Sequence, residues 1–143
     1  MITQRFAAAH QLHPLTALEI ARLRVDVFVV EQNCPYPEFD DRDTERSTLH
    51  MWLEDNGRVV GYLRMLEEPD GDRRIGRVVV AKSHRGQHLG ERLMRAAVNM
   101  AANSTIHLDA QTYAKAFYAS FGFVISGEEF LEDGIAHVPM RRH

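Results

Sequence analysis

The residues best suited to chemistry lie between Ile75 and Gly90, which read IGRVVVAKSHRGQHLG. Val78, Val79 and Val80 lead through Arg85-Gly86-Gln87-His88-Leu89-Gly90 into a segment with Leu89, Leu93, Ala96, Ala97 and Met100 at helical spacing. A strand, a tight turn and a helix in that order leave backbone N–H groups unpaired in the first helical turn. The positive end of the helix dipole adds to them, so such a place attracts phosphate or pyrophosphate. Two common phosphate motifs are excluded. Gly86 and Gly90 lack the Gly-Lys-Ser/Thr ending of a P-loop, because Glu91 and Arg92 follow, and no window supplies the three glycines of a dinucleotide fingerprint. Metal chemistry finds no framework either: His84 and His88 stand four apart without an HExxH or Cys/His pattern, so no metal is expected.

Stepping outward to the elements that must hold this loop, the chain of 143 residues suits one domain spanning 1–143. With 45% hydrophobic and 26% charged residues and a net charge of -3, the composition is that of an ordinary globular protein and gives no support to nucleic-acid binding. No apolar run approaches the ~20 residues of a membrane span, the single Cys34 has no disulfide partner, and no secretory leader is recognisable, so a cytoplasmic setting without membrane attachment is expected. A strand is predicted within residues 1–12. A helix follows from Pro14 to about Glu31, with Leu15, Leu18, Leu23, Val27 and Val30 on one side, and then a loop over 33–45 containing Cys34-Pro35-Tyr36-Pro37 and Asp40-Asp41-Arg42-Asp43. Strands at 48–54 and 58–66 flank Asp55-Asn56-Gly57, a strong hairpin signal. Strand 75–81, helix 88–102, strand 105–110, helix 112–121 and a last strand at 135–141 complete an α/β (α+β) order.

Val80 followed by Arg85-Gly86-Gln87-His88-Leu89-Gly90 resembles the acetyl-CoA pyrophosphate loop of the GNAT (GCN5-related) N-acetyltransferases, usually Arg/Gln-x-x-Gly-x-Gly/Ala. His88 stands where that family most often has glycine; a helical conformation would suit it. Downstream, Ala114-Lys115-Ala116-Phe117-Tyr118-Ala119-Ser120-Phe121-Gly122-Phe123 resembles the later GNAT motif, a short helix bearing a tyrosine and closing at Gly-Phe. The segments 23–32, Cys34-Pro35-Tyr36, Asp40 and 132–137 look like the ElaA-like subgroup, which extends the resemblance over nearly the whole chain. The resemblance implies the GNAT acyl-CoA N-acyltransferase fold, a mixed, splayed sheet of six to seven strands with flanking helices.

It also implies a reaction: transfer of an acetyl group from acetyl-CoA to a primary amine, by direct attack in a ternary complex. Val78, Val79 and Val80 would offer backbone groups to the pantetheine arm. The amides of Arg85, Gly86, Gln87, His88, Leu89, Gly90 and Glu91 would hold the pyrophosphate, with the Arg85 charge assisting and Gln111 near the pantetheine. Tyr118 would protonate the departing thiolate, since a phenol of pKa about 10 is protonated at neutral pH. For the base no carboxylate lies on strand 75–81, which leaves His50, Glu31, Asp109 and His137 as candidates. Each has a plainer reading: a solvent-facing strand histidine, a helix end, a helix cap, and a partner for a backbone carbonyl. Asp40, Asp41 and Asp43 suggest a positively charged acceptor, a small molecule or a peptide amine. Against the enzyme stands an acyl-CoA-binding sensor or interaction module of the same fold, and a homodimer is left open. Cys34 offers a rival acetyl-cysteine route, yet nothing near it in sequence would activate a thiolate. Cys34→Ser is therefore expected to leave turnover almost unchanged, which a steady-state assay on the folded variant checks.

Overall fold

A computed structural model describes all residues 1–143. Strand β1 (Ile2–Ala8) opens the chain. The first helix, α1, spans Pro14–Arg24, with His13 capping it through Nδ1, which accepts from the Leu15 N–H at 3.1 Å. It does not continue as an α-helix to Glu31: Val25–Glu31 winds as a wider π-helix, continued by Gln32 N–H bonding back to the Val27 carbonyl at 3.0 Å. The predicted apolar side is also shifted. Leu23 and Val27 are buried as expected, but Leu15, Leu18 and Val30 are exposed, and Ile20 and Arg24 complete the buried side instead. A stripe containing an arginine cannot be recognised by counting apolar residues.

Strands β2 (Leu49–Asp55) and β3 (Arg58–Glu67) form the expected hairpin, with Asn56 and Gly57 both at positive φ as a tight primed turn requires. Strand β4 (Arg73–Val80) follows, then α2 (Leu89–Met100), β5 (Ile106–Gln111), α3 (Lys115–Ala119), β6 (Val124–Ile125), β7 (Phe130–Glu132) and β8 (Ile135–Arg142). The sheet runs β1-β2-β3-β4-β5-β8-β6, with β7 also on β8. It thus has eight strands where six to seven were expected, because the long β8 pairs with two short segments that carry almost no periodic signal.

On one face of the sheet, Leu89, Leu93, Met94, Ala97 and Val98 of α2 pack on Met51, Leu53, Leu63, Ile75, Ile106, Leu108, Val138 and Met140. On the other face, Ile20, Leu23 and Val27 pack on Trp52, Val59, Tyr62 and Val79. No helix is long and apolar enough to cross a membrane.

The centre of that second face is ionic. Arg24, with its side chain 2% exposed, gives its Nη1 to Asp43 at 2.7 Å and its Nε to Glu38 at 2.8 Å, and lies 5.4 Å from the Tyr62 ring centroid and 4.8 Å from that of Phe39. Arg64 joins Asp43 at 3.0 Å and Asp40 at 2.7 Å. A buried guanidinium needs acceptors, and although Arg64 Nε is left without one, the carboxylates that meet the other donors pin residues 38–43 against the sheet. Burial alone would raise the Asp43 pKa, but hydrogen bonds from Arg24 and from the Asp40 N–H overcome it and hold the group at about 2. A folded-state pKa below the unfolded value means that the unfolded chain binds more protons between about pH 4 and pH 2, so stability is present above that window and is lost through it. Urea unfolding across these pH values is expected to show Asp43 contributing a fall on the order of 2 kcal/mol.

Candidate active site

Strand β4 is distorted where the chemistry would occur. Tyr62 pairs with Val79 but Arg64 with Gly76, so Arg77 and Val78 together face the single Leu63. Arg77 takes the left-handed conformation, with φ 54, that such a bulge demands and that glycine usually supplies. Glu38 holds it there, accepting from Arg77 Nε at 3.0 Å on its carboxylate and from Nη2 at 3.0 Å on its carbonyl. On the opposite side, β4 pairs in parallel with β5 only at Arg73 with Ile106 and Arg74 with His107. Beyond those pairs the strands part. The β5-facing edge of residues 78–80 is consequently left without a ladder partner, which is the form of opening an extended ligand chain can enter by strand-like pairing.

The loop after β4 completes this cleft. Gly86 has φ +82, and His88, the residue before α2, has φ 60 and ψ 26. The histidine is therefore left-handed rather than helical as expected, which explains why glycine suits this position. Arg92 N–H closes on the His88 carbonyl at 3.1 Å, leaving the amides of Leu89, Gly90 and Glu91 ahead of it without helical acceptors. A Cβ on Gly90 would meet the Phe117 ring at 3.4 Å and Val80 at 3.8 Å, so this glycine draws α2, α3 and β4 together. Gln87 and His88 point into solvent, and His88 Nδ1 lies 3.1 Å from Glu91. Arg85 is not free: Glu31 takes its guanidinium at 2.6 and 2.9 Å, and Arg85 Nε donates to the Val80 carbonyl at 3.2 Å.

Next to the cleft lies a cavity of about 400 Å³. Its walls are the π-helical turn (Phe28, Val29, with Gln32), the pinned loop (Cys34, Glu38, Asp40), β3 and β4 (Arg64, Arg74, Arg77, Val78), β5 (Asp109, Gln111), Tyr118 and the β7–β8 hairpin (Glu132, Asp133, His137). Tyr118 lies between Phe117 and Phe123, with ring centroids 5.1 and 6.4 Å away, and burial pushes its pKa up to about 12. Its phenol stays protonated at neutral pH. Gly122, at φ +91, closes the tyrosine-bearing segment as expected. Gln111 faces the cavity and donates to Gln32 at 3.4 Å.

The base candidates separate. His50 is buried outside the cavity, with Nε2 donating to the Asp43 carbonyl at 2.9 Å and Nδ1 accepting from the Tyr62 hydroxyl at 2.6 Å. Burial lowers its pKa, and both nitrogens are occupied, so it braces the ionic centre and does not face solvent. Glu31 lies outside the cavity and is spent on Arg85, whose hydrogen bonds lower its pKa. Asp109 and His137 do line the cavity; Asp109 sits 3.5 Å from Arg74. The acidic run serves a different purpose from the one its charge suggested. Asp40 and Asp43 are neutralised by Arg64 and Arg24, which removes the ground for their drawing in a cation. Glu38, Arg64, Arg74 and Arg77 carried no signal in the sequence, because their roles arise only when loop 38–43 meets β3 and β4.

The left-handed His88 generates a prediction. Replacing it by glycine relieves ~1–2 kcal/mol of backbone strain but adds freedom to the unfolded chain, so His88→Gly is expected to stabilise by about 0.5–1 kcal/mol in urea unfolding. Its CoA affinity by calorimetry should be no weaker.

The same architecture recurs in known proteins. A family model described as an acetyltransferase (GNAT) domain matches residues 17–143. A UPF0039 protein of Mycobacterium tuberculosis is 47% identical over 138 residues, covering 94% of this chain and 88% of its own length. The protein ElaA of Escherichia coli is 37% identical over 129 residues, 86% of this chain and 84% of its own. Its crystal structure superposes with a TM-score of 0.93 over 100% of both chains at 34% identity. An acyl-CoA N-acyltransferase from Pseudomonas aeruginosa has a TM-score of 0.95, 36% identity and 100% coverage of both chains. With its parted β4 and β5, its loop at the start of α2 and its match over residues 17–143, the chain belongs to the GNAT family of acyltransferases.

Proposed function

We propose that this protein transfers an acetyl group from acetyl-CoA to a primary amine, by direct attack while both substrates are bound. The observation that carries this reading is the parting of β4 from β5 beyond Arg74 and His107, which opens the backbone of residues 78–80 beside the first turn of α2. A pantetheine arm fits that edge as an added strand. A pyrophosphate fits the amides from Arg85 to Glu91, where hydrogen-bond donors and the helix dipole coincide. Arg85 reaches a pyrophosphate by exchanging Glu31 for it.

The acyl group then faces the cavity that holds Tyr118, and the Tyr118 hydroxyl is the proton donor to the departing thiolate. An N–H at the β4 bulge polarises the thioester carbonyl as negative charge develops on its oxygen. The amine enters through the cavity, past Glu132 and Asp133, whose carboxylates suit an acceptor arriving as an ammonium. Direct transfer is preferred over a cysteine relay. The Cys34 thiol lines the cavity, but its one side-chain hydrogen bond is donated to the Asp133 carbonyl at 3.5 Å, and none joins it to an imidazole or ammonium that would stabilise a thiolate.

The test couples thiol release from acetyl-CoA over a panel of primary amines to calorimetry with CoA. Tyr118→Phe is expected to lower kcat about 100-fold while CoA affinity changes little. Unchanged kcat would remove the acid role from Tyr118. CoA binding without acetylation of any amine would replace the transferase by an acyl-CoA sensor.

A further inference from the structure

The reaction proposed above still lacks a group to take the proton from the incoming ammonium, and this inference rests on that reading. The cavity presents few bases. Glu38 is chelated by Arg24 and Arg77, Asp40 by Arg64, and Asp109 faces the Arg74 guanidinium. His137 differs. It is 8% exposed and lines the cavity from β8. Its Nδ1 lies 2.8 Å from the Ile135 carbonyl. A carbonyl oxygen only accepts, so Nδ1 must carry a proton, and in the neutral ring Nε2 then carries the lone pair. The Phe130 ring stacks on the imidazole at 5.7 Å with planes 22° apart, which holds its orientation. Glu132 Oε2 lies 4.0 Å from Nε2, so a proton arriving there acquires a carboxylate neighbour.

We infer that His137, through Nε2, is the general base that deprotonates the acceptor ammonium, directly or through one water. The ionisable groups sharing the cavity with it are Glu132 and Asp133 from the hairpin, Asp109 from β5, Arg64, Arg74 and Arg77 from β3 and β4, Cys34, Tyr36, Glu38, Asp40 and Arg42 from the loop, and Tyr113 and Tyr118 from the segment after β5. The proton balance closes. The ammonium gives one proton to Nε2, and the freed amine forms the C–N bond as the C–S bond breaks. Tyr118 protonates the thiolate, the acylated nitrogen returns a proton to the Tyr118 phenolate, and His137 releases its proton to solvent. The net products are the amide, the free thiol and one proton.

The first measurement needs no acceptor. Long-range 15N–1H NMR of the imidazole, in the free protein and with CoA added, is expected to show His137 as the Nδ1–H tautomer, and an Nε2–H tautomer would overturn the inference. The second uses acetyl-CoA and the best amine of the panel. His137→Gln is expected to lower kcat/KM about 100-fold, to remove the acidic limb of its pH profile and to leave CoA affinity within a factor of two. Added imidazole should partly restore His137→Gly. Retained turnover, or a loss that leaves the acidic limb in place, sinks the base alone. Failure of the wild-type protein to acetylate any amine sinks the acetyl-transfer reading and the base with it.

Discussion

The buried guanidinium of Arg24 is the constraint on which the site depends. An arginine cannot lie at 2% exposure beneath a helix unless its donors are met, and here they are met by Asp43 and Glu38 from the loop that follows. The dependence runs in the other direction too, since the hydrogen bonds and charge of Arg24, with the charge of Arg64, offset the burial of Asp43 and favour its ionised form. A segment that would otherwise be a mobile acidic loop thereby becomes a fixed wall. Replacing such a network by apolar residues often costs nothing, which suggests that its value here is positional rather than energetic. His50 and Tyr62 extend the same lattice, with His50 spanning the Asp43 carbonyl and the Tyr62 hydroxyl.

From this wall Glu38 reaches Arg77, and through it the ionic centre is joined to the bulge in β4. Arg77 and His88 both occupy left-handed conformations that glycine would adopt without strain. Both lie beside the opening between β4 and β5, one at the bulge and one at the entrance to α2. Strain at such places is tolerated when surrounding contacts over-determine it. Arg77 has that support in its paired bonds to Glu38, whereas the His88 side chain has only the exposed contact with Glu91. The two irregularities are therefore unequal: the first is locked into the ionic centre, and the second stands alone.

Much of the scaffold was legible from local signals. Asn56-Gly57 announced a hairpin, the Val-rich run followed by Gly86 and Gly90 announced strand, loop and helix, and Gly122 announced the end of the tyrosine-bearing segment. These signals succeed because turn chemistry and periodicity act over a few residues. The short β6 and β7 escaped detection because two or three residues carry no period, and the buried face around Leu23 and Val27 was legible only in part because it also includes the charged Arg24. The π-helical winding of residues 25–31, which lets Phe28 and Val29 reach the cavity, has no apolar spacing that distinguishes it from an ordinary helix turn.

By itself, the sequence determined the order of the main elements, the passage from strand through loop to helix at 78–90 and the tyrosine-bearing segment, since each is written in neighbouring residues whose physics is local. Only the tertiary structure decided which charges are spent and which are free. Asp40, Asp43, Glu31 and His50 looked available as single letters, yet each is matched by a partner between 7 and 54 positions away in the chain. His137 looked like one candidate among four, and it is set apart by a carbonyl two residues back together with a cavity that its own strand does not define. The reactivity of an ionisable group is fixed by its neighbours in space, and those are chosen by the packing of the whole fold.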